Sequence, residues 1–201
     1  MTETRIPTQK RSIEKRNKII EKGFELMCEK GYYNTNTTEI AKYADVSTGI
    51  IYQYFNDKKD IFLEGVKNYS DSILYPMINI LEEKSMDINN LDKIIEDVID
   101  KFITKHTISK KAHEELMAMS HLDEDISNIF KESEIEMTEK IVSLLKKNNI
   151  ILENEEEKVH IIIGIVDNLC HEIVYHNHKK LNYNIMKKEV IKIILNILKA
   201  S

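Results

Sequence analysis

The chain has 201 residues, long enough to bury a core, and its 42 % hydrophobic and 31 % charged residues are typical of a globular protein. Only five glycines and two prolines interrupt a sequence rich in Ile, Leu, Glu and Lys, so we predict an all-α fold. No run of about 18 uncharged apolar residues and no apolar N-terminal stretch occurs. This argues against a membrane span and a signal peptide, and we expect a cytoplasmic protein.

The net charge of −5 is unevenly distributed along the chain. Residues 1–60 carry 11 basic and 9 acidic side chains, a net charge of +2. The other 141 residues carry 18 and 25, a net charge of −7. A cationic surface is therefore predicted on the N-terminal part, where it would permit phosphate binding.

The N-terminal third is predicted to fold as short helices joined by tight links. Ser12 is the predicted N-cap of the first helix and Gly31 its stop, while Asn36 with Glu39 three residues later forms a capping-box pattern for the second. Ser47 is the predicted cap of the third, after a link too short for anything but a tight turn. The prediction is helices over 12–30, 37–44 and 48–54, and a fourth from Asp57-Lys58 towards Pro76.

The third predicted helix combines an apolar side with a tyrosine-rich side. We expect Ile50, Ile51 and Phe55 to pack inward, which leaves Tyr52 and Tyr54 for the surface; the alternative is that both tyrosines are core aromatics. A helix joined by a tight turn to a second one with exposed polar and tyrosyl groups is the build of a helix-turn-helix DNA reader. We therefore predict a DNA-binding protein.

Beyond Pro76 the pattern stays helical to the end of the chain. Breaks are predicted at Asn89-Asn90, in the Leu122-Asp123 region, at Asn148-Asn149 and at Asn182. No linker of low complexity occurs, so the fourth helix is expected to connect two domains rigidly. The predicted C-terminal helices cover residues 77–84, 90–106, 110–120, 123–148, 155–178 and 184–199.

The last two predicted helices are apolar on more of their circumference than the roughly 100° stripe of a surface helix. A second copy of the chain is the simplest cover, in a four-helix dimer interface where Gly164 permits close backbone approach. The alternative is a deeply buried core within one chain. The predicted dimer interface consists of Ile162, Ile165, Val166, Leu169, Ile173, Val190, Ile194 and Ile197.

Several short motifs of the N-terminal part match those of one known protein family, with the same spacing between them. They are Thr37-Thr38-Glu39-Ile40-Ala41, Val46-Ser47-Thr48-Gly49, Ile51-Tyr52-Gln53-Tyr54-Phe55, Lys58 and Asp60-Ile61-Phe62. Over about residues 12–66 the chain resembles the N-terminal domain of TetR-type (tetracycline-repressor-like) transcriptional regulators. The resemblance implies a homodimer that binds palindromic operator DNA, usually represses, and is released when a small molecule binds its larger C-terminal helical domain.

Domain boundaries follow from this resemblance. We predict an N-terminal arm with a three-helix helix-turn-helix DNA-binding domain over 1–57 and a connecting helix over 58–76. An effector-binding and dimerisation domain is predicted over 77–201. The protein would associate with the nucleoid when it is bound to its operator.

The resemblance also carries DNA-binding roles onto individual residues. They are Thr37, Thr38, Ser47, Thr48, Gly49, Tyr52, Gln53, Tyr54 and Lys58. Hydroxyl and backbone N–H groups at helix starts suit phosphate oxygens, and Gln53 suits adenine. Position 54 is often histidine in the family and is tyrosine here. The alternatives are capping roles for the hydroxyl residues and a solvated face for Lys58.

A basic segment precedes and opens the first predicted helix. It either follows DNA phosphates as an arm or is a solvated tail. Its residues are Arg5, Lys10, Arg11, Lys15 and Arg16.

A partly hydrophobic effector is expected, since ligand pockets in helical domains are largely apolar with a few polar groups. The predicted pocket residues, each with a plain core role as the alternative, are Phe102, His106, His113, Leu116, Met117, Ser120, His121, Asp167, His171 and Tyr175. His171 and His176 lie about 140° apart on an α-helix and so do not form a two-histidine zinc motif. We predict no metal site and no cofactor.

An enzyme is not predicted, because the sequence has no glycine-rich phosphate loop, nucleophile elbow or clear nucleophile–base pair. The favoured hypothesis is a homodimeric, ligand-responsive DNA-binding regulator that acts as a repressor. The alternative is a constitutive DNA-binding regulator without a small-molecule effector.

Overall fold

The structure of this chain is a computed structural model that describes residues 7–84, 86, 90–108, 110–176 and 178–199. Regular structure in these residues is helical, and no β-strand occurs among them, which confirms the predicted all-α class. The α-helices are α1 Lys10–Lys30, α2 Thr37–Tyr43, α3 Thr48–Tyr54, α4 Lys58–Glu83, α5 Leu91–Ile108, α6 Lys110–Ser120, α7 Glu124–Lys147, α8 Glu155–His171 and α9 Tyr183–Lys199. Among the described helices, none is long and apolar enough to cross a membrane.

Two glycines allow the N-terminal helices to cross closely. A Cβ atom on Gly65 in α4 would lie 2.6 Å from the Cβ atom of Phe24 in α1. A Cβ atom on Gly23 in α1 would lie 2.7 Å from Cγ2 of Ile61 in α4. Carbon atoms do not approach so closely, so the observed crossing depends on glycine at both positions.

The helices α2 and α3 form the predicted pair joined by a tight turn. Oδ1 of Asn36 accepts the N–H of Glu39 at 3.0 Å, and Oε2 of Glu39 accepts the N–H of Asn36 at 3.3 Å, which confirms the predicted capping box. Asp45 has a φ of 55°, a left-handed conformation that short polar residues tolerate. The N–H of Val46 then donates to the carbonyl of Ala41 at 2.9 Å and closes the turn.

The helix α4 continues through Pro76, so the predicted stop there is wrong and the predicted helix over 77–84 is the last part of α4. Proline has no N–H and therefore removes one backbone hydrogen bond from a helix. Ile73 before it and Met77 after it are 7 % and 1 % exposed. Burial of side chains on both sides of the proline favours one continuous helix over a break.

Two predicted helix ends are also corrected. The first helix begins at Lys10 rather than at Ser12, because the N–H of Ser12 already donates to the carbonyl of Gln9 at 2.9 Å. The α-helix predicted over 155–178 ends at His171 and is followed by a π-helical segment, Glu172–His176, in which the hydrogen bonds span five residues. Ser47 occupies the N-cap position of α3, but its side chain makes no capping hydrogen bond there. The predicted break at Asn89 lies outside the described residues.

Contacts divide the chain into two compact units. The first unit contains the residues up to Ser70 together with Lys111–Ile129, and the second contains Asp71–Lys110 and the residues from Phe130 onward. The first unit thus includes α1 to α3 and nearly all of α6. Its buried side chains include Ile19, Met27, Ile40, Ile51, Phe55, Phe62 and Leu116. Those of the second unit include Ile94, Ile99, Phe102, Leu145, Val159, Leu169 and Ile194.

Candidate DNA-binding surface and ligand pocket

The helix α3 has two clearly different sides. Ile51 and Phe55 are 0 % and 1 % exposed and belong to the core of the first unit. Tyr52 is 51 % exposed, and Gln53 is exposed beside it. Ile50, which we predicted to pack inward, is only half-buried. The other predicted DNA-binding residues are also accessible: Thr38, Ser47 and Gly49 are exposed, while Thr37, Thr48, Tyr54 and Lys58 are half-buried.

Tyr52 is linked to the start of α2 by a hydrogen bond between two hydroxyl groups. Its Oη atom lies 3.0 Å from Oγ1 of Thr37, and either oxygen can be the donor. Two hydroxyl groups are therefore presented side by side on the accessible surface. The hydroxyl that accepts in this bond keeps its own O–H, which can donate to a phosphate oxygen and suits a surface that follows a DNA backbone.

Lys58 opens α4, but its ammonium group is already engaged within the first unit. Nζ donates to the carbonyl oxygens of Tyr32 and Thr35, each at 2.7 Å, and lies 4.4 Å from the centre of the Tyr32 ring. Partial burial lowers the pKa of Lys58 from its ordinary value. Lys58 thus fastens the link between α1 and α2 to the start of α4. Two of its three N–H donors serve these carbonyls, so a contact with phosphate stays a prediction.

The predicted basic arm is helical from Lys10 onward. Arg16 forms an ion pair with Glu64, and its guanidinium carbon lies 5.0 Å from the centre of the Phe55 ring. These contacts make Arg16 part of the packing of the first unit rather than of a free arm. Arg5 lies outside the described residues.

Several contacts that sequence analysis missed attach α6 and the link after it to α1 and α4. Oε1 of Glu115 accepts the backbone N–H of Tyr32 at 2.9 Å, across 83 residues of sequence. Nζ of Lys59 lies 2.9 Å from Asp123 and 2.6 Å from Asp125, and hydrogen bonds to these carboxylates raise the pKa of Lys59 above its ordinary value. No local pattern marks such partners, because the residues lie far apart in the sequence.

Comparison with known proteins shows which family the helix-turn-helix segment resembles. Residues 19–64 match the sequence profile described as "Bacterial regulatory proteins, tetR family". Over 59 residues the chain is 49 % identical to the HTH-type transcriptional regulator HbdR of Aromatoleum sp. (strain CIB). Residues 19–64 thus form a helix-turn-helix segment of the tetR-family type. The HbdR alignment covers 29 % of this chain and 26 % of HbdR, so the chain spans about a quarter of the length of that relative.

Two further proteins extend the similarity beyond the helix-turn-helix segment. The chain is 27 % identical over 141 residues to the biofilm operon icaADBC HTH-type negative transcriptional regulator IcaR of Staphylococcus aureus (strain Newman), covering 61 % of this chain and 73 % of IcaR. Its fold matches the crystal structure of a TetR-family transcriptional regulator from Mesorhizobium loti MAFF303099 with a TM-score of 0.75 and 17 % identity, over 94 % of this chain and 98 % of that chain. These relatives are transcriptional regulators and not enzymes.

The predicted effector residues fall into both units. His113, Leu116, Met117, Ser120 and His121 belong to the first unit. There, Nδ1 of His113 lies 3.3 Å from the hydroxyl of Tyr69, Leu116 is fully buried, and Oγ of Ser120 donates to the carbonyl of Met117 at 2.9 Å. His121 is exposed just after α6. Their roles in effector binding stay predictions.

The other five predicted effector residues lie together in the second unit, on α5, α8 and the π-helical segment. His106 is 2 % exposed, its ring centroid lies 4.3 Å from that of Phe102, and its Nδ1 lies 3.0 Å from the Phe102 carbonyl. Burial lowers the pKa of His106 from its ordinary value and favours the neutral ring. Oδ1 of Asp167 lies 3.9 Å from Nε2 of His106 and 3.7 Å from Nε2 of His171. Tyr175 completes the group by donating its O–H to the carbonyl of His106 at 3.4 Å.

An apolar groove of about 310 Å³ lies between α8 and α9 on the second unit. Its lining residues are Ile161, Gly164, Ile165, Asn168, Leu169, Met186 and Val190. Ile161, Ile185 and Ile193, which were not predicted as interface residues, are 55 %, 57 % and 45 % exposed. Leu169 and Ile194, which were, are 1 % and 2 % exposed and so fill the core of a single chain. The other predicted interface residues are half-buried: Ile162, Ile165, Val166, Ile173, Val190 and Ile197.

Proposed function

We propose that this chain is a homodimeric, ligand-responsive transcriptional regulator, a repressor that binds a palindromic operator and is released by a small molecule. The observation that carries the proposal is the two-sided α3, which buries Ile51 and Phe55 and exposes Tyr52 and Gln53. A recognition helix needs this division, because one side must hold it to its domain while the other contacts base edges in the major groove. The match of residues 19–64 to the tetR-family profile supports the same role.

Each part of the DNA-binding surface has a proposed task. The hydroxyl pair of Thr37 and Tyr52 donates its one remaining O–H to a phosphate, and the amide of Gln53 pairs with an adenine edge. Gly49, without a side chain, leaves room for the sugar–phosphate backbone. Lys58 holds the neighbouring link in place and adds positive charge beside the phosphates.

A second copy of the chain is proposed to pack against the surface formed by α8 and α9. Exposed isoleucines beside an apolar groove favour burial, at about 25 cal/mol for each Å² of apolar surface removed from water. A two-fold axis through this face would give the dimer two α3 helices. Such a pair fits half-sites about 34–36 Å apart, one turn of B-DNA.

The proposed effector site is the group formed by Phe102, His106, Asp167, His171 and Tyr175. It combines aromatic walls with a few polar atoms, the usual character of a small-molecule site. Effector binding is proposed to change the separation of the two α3 helices in the dimer, so that operator affinity falls. The similarity to IcaR, described as a negative transcriptional regulator, favours repression over activation.

Selection from random DNA duplexes tests the DNA-binding part of the proposal, since the selection itself yields the operator sequence. We expect enrichment of an inverted repeat, and a sedimenting mass of the free protein that is twice that of the chain. Enrichment of a single unpaired site, or no enrichment at low salt, would contradict the proposal.

The effector part is tested separately with the enriched duplex. A metabolite and drug panel is screened for compounds that raise the melting temperature of the protein, and each hit is then added to the protein–DNA complex. We expect a stabilising compound that releases the DNA. If no compound stabilises the protein, the constitutive regulator without an effector becomes the better description.

A further inference from the structure

Three side chains of the second unit that commonly bind metals converge between α5 and α8. Oδ1 of Asp167 lies 3.9 Å from Nε2 of His106 and 3.7 Å from Nε2 of His171. A ring nitrogen of each histidine also lies within 4.8 Å of one in the other. Both His–Asp separations exceed the roughly 3.2 Å limit of a hydrogen bond of this kind. Each His–Asp pair is therefore close without being directly hydrogen-bonded.

The two His–Asp separations suit a small cation. Ligand atoms around tetrahedral zinc lie about 3.3 Å apart, because each is about 2.0–2.1 Å from the metal. The His106–Asp167 and His171–Asp167 pairs need to close by only about 0.5 Å to reach that spacing. Asp167 is free to adjust, since its side chain is 44 % exposed.

The hydrogen bonding of His106 prepares one of its nitrogens for a metal. Nδ1 lies 3.0 Å from the carbonyl oxygen of Phe102, and a carbonyl only accepts, so Nδ1 carries the proton. In a neutral ring the lone pair is then on Nε2, the atom that faces Asp167. Metal-bound histidines are usually oriented by such a bond from the other ring nitrogen to a carbonyl or carboxylate.

Aromatic side chains lie beside the two histidines. The Phe102 ring lies 4.3 Å from that of His106, and the Tyr175 ring lies 5.4 Å from that of His171. The hydroxyl of Tyr175 also holds the backbone of His106. These rings restrict the positions of the two histidines, while the exposed Asp167 side leaves access for an ion.

We propose that His106, Asp167 and His171 bind one divalent transition-metal ion, with Zn²⁺ as the expected occupant and the fourth position open to water or to a donor atom of another ligand. Two imidazoles and one carboxylate form a ligand set typical of zinc and its transition-metal neighbours. Mg²⁺ and Ca²⁺ prefer ligand sets made of oxygen atoms. The site differs from the His171–His176 spacing considered in the sequence, because its second histidine comes from another helix, α5.

A cobalt titration tests the proposal, since Co²⁺ takes zinc sites and gives visible absorption bands when it is bound with low coordination number. The full chain is freed of metals with a chelator, titrated with Co²⁺, and then titrated with Zn²⁺. We expect one Co²⁺ per chain, displaced by Zn²⁺. Asp167→Asn and His171→Gln should each weaken binding at least about tenfold, since loss of even an outer partner commonly costs that much. The binding result for His106→Gln is interpreted only if the variant has the circular dichroism of the wild type, because His106 is buried and its replacement can disturb the fold.

The chain contains its own matched control. Glu172, His176 and His178 form a second, more exposed group with ligand atoms within 4.8 Å of one another. The double variant His176→Gln/His178→Gln should bind Co²⁺ as the wild type does. The proposal is overturned if the wild type gives no cobalt band, if Asp167→Asn and His171→Gln bind normally, or if only the control variant loses the band. The titration involves no DNA, so its failure would leave the proposed function standing.

Discussion

The Oη atom of Tyr52 lies 3.0 Å from the Oγ1 atom of Thr37, so a single hydrogen bond joins the middle of α3 to the first residue of α2. Tyr52 is otherwise half exposed, and a long exposed side chain normally samples several rotamers. The bond to Thr37 restricts this freedom before any partner binds. A side chain held in place in the free protein loses less entropy on binding.

Replacing Tyr52 with alanine should weaken operator binding at least about tenfold, or roughly 1.4 kcal/mol, because both the ring and the hydroxyl leave the DNA-binding surface. Tyr52→Phe should lose less, since the ring remains and only the hydroxyl contacts disappear. Both constants are measured by fluorescence anisotropy on the enriched duplex. Tyr33→Ala is the control, because Tyr33 is a 70 % exposed tyrosine of the same unit outside α2 and α3. If Tyr33→Ala and Tyr52→Ala lose the same amount of operator affinity, the assignment of Tyr52 to the DNA-binding surface is wrong.

The features that were predictable from sequence are those with partners a few residues away. The capping box needs only Asn36 and Glu39, and the turn needs only a short link with Asp45 in it, so both could be read locally. The contact of Lys58 with the carbonyl of Thr35 depends on how α4 packs beside the link after α1. A spacing pattern carries no information on that packing, and Lys58 was therefore assigned to DNA or, as the alternative, to a solvated face.

The second unit was less predictable for the same reason. His106 and His171 were both named as pocket residues, but their common approach to Asp167 arises only when α5 packs on α8. The change from α-helix to π-helix at Glu172 could also not be predicted from the hydrophobic pattern. From that point a helical wheel of α geometry no longer gives the correct direction of a side chain.

Lys58→Met should lower the free energy of unfolding by about 1–3 kcal/mol, because the carbonyls of Tyr32 and Thr35 lose a charged donor in a partly buried setting. It should also reduce the salt dependence of operator binding by about one unit if the third N–H contacts phosphate. Denaturant titration and binding at several salt concentrations measure the two effects independently. Lys67→Met, an exposed lysine on the same helix, is expected to change neither by as much. A variant as stable as the wild type would show that the Lys58 contacts do not hold the link.

Gly65→Ala should destabilise the chain by about 1–3 kcal/mol through forced separation of α1 and α4. The added Cβ atom would meet the Cβ atom of Phe24 at 2.6 Å, and a Cβ atom cannot rotate away as the end of a flexible side chain can. Gly164→Ala is the matched control, because a Cβ atom there meets nothing within 4 Å and alanine favours a helix by up to about 1 kcal/mol. The free energy of unfolding, measured with denaturant at low protein concentration, should therefore fall for Gly65→Ala and rise for Gly164→Ala.

Ile161→Lys should convert the dimer to a monomer that is still folded, because Ile161 is 55 % exposed at the groove between α8 and α9 and a charge there opposes burial by a second copy. Ile194 is unsuitable for this test, since it is 2 % exposed and a charge would unfold the chain itself. Ile151→Lys is the control, as Ile151 is 62 % exposed but precedes α8. Sedimentation velocity gives the mass and circular dichroism the helix content of each variant. A folded Ile161→Lys protein with the mass of the wild-type dimer would mean that the two copies meet through another face.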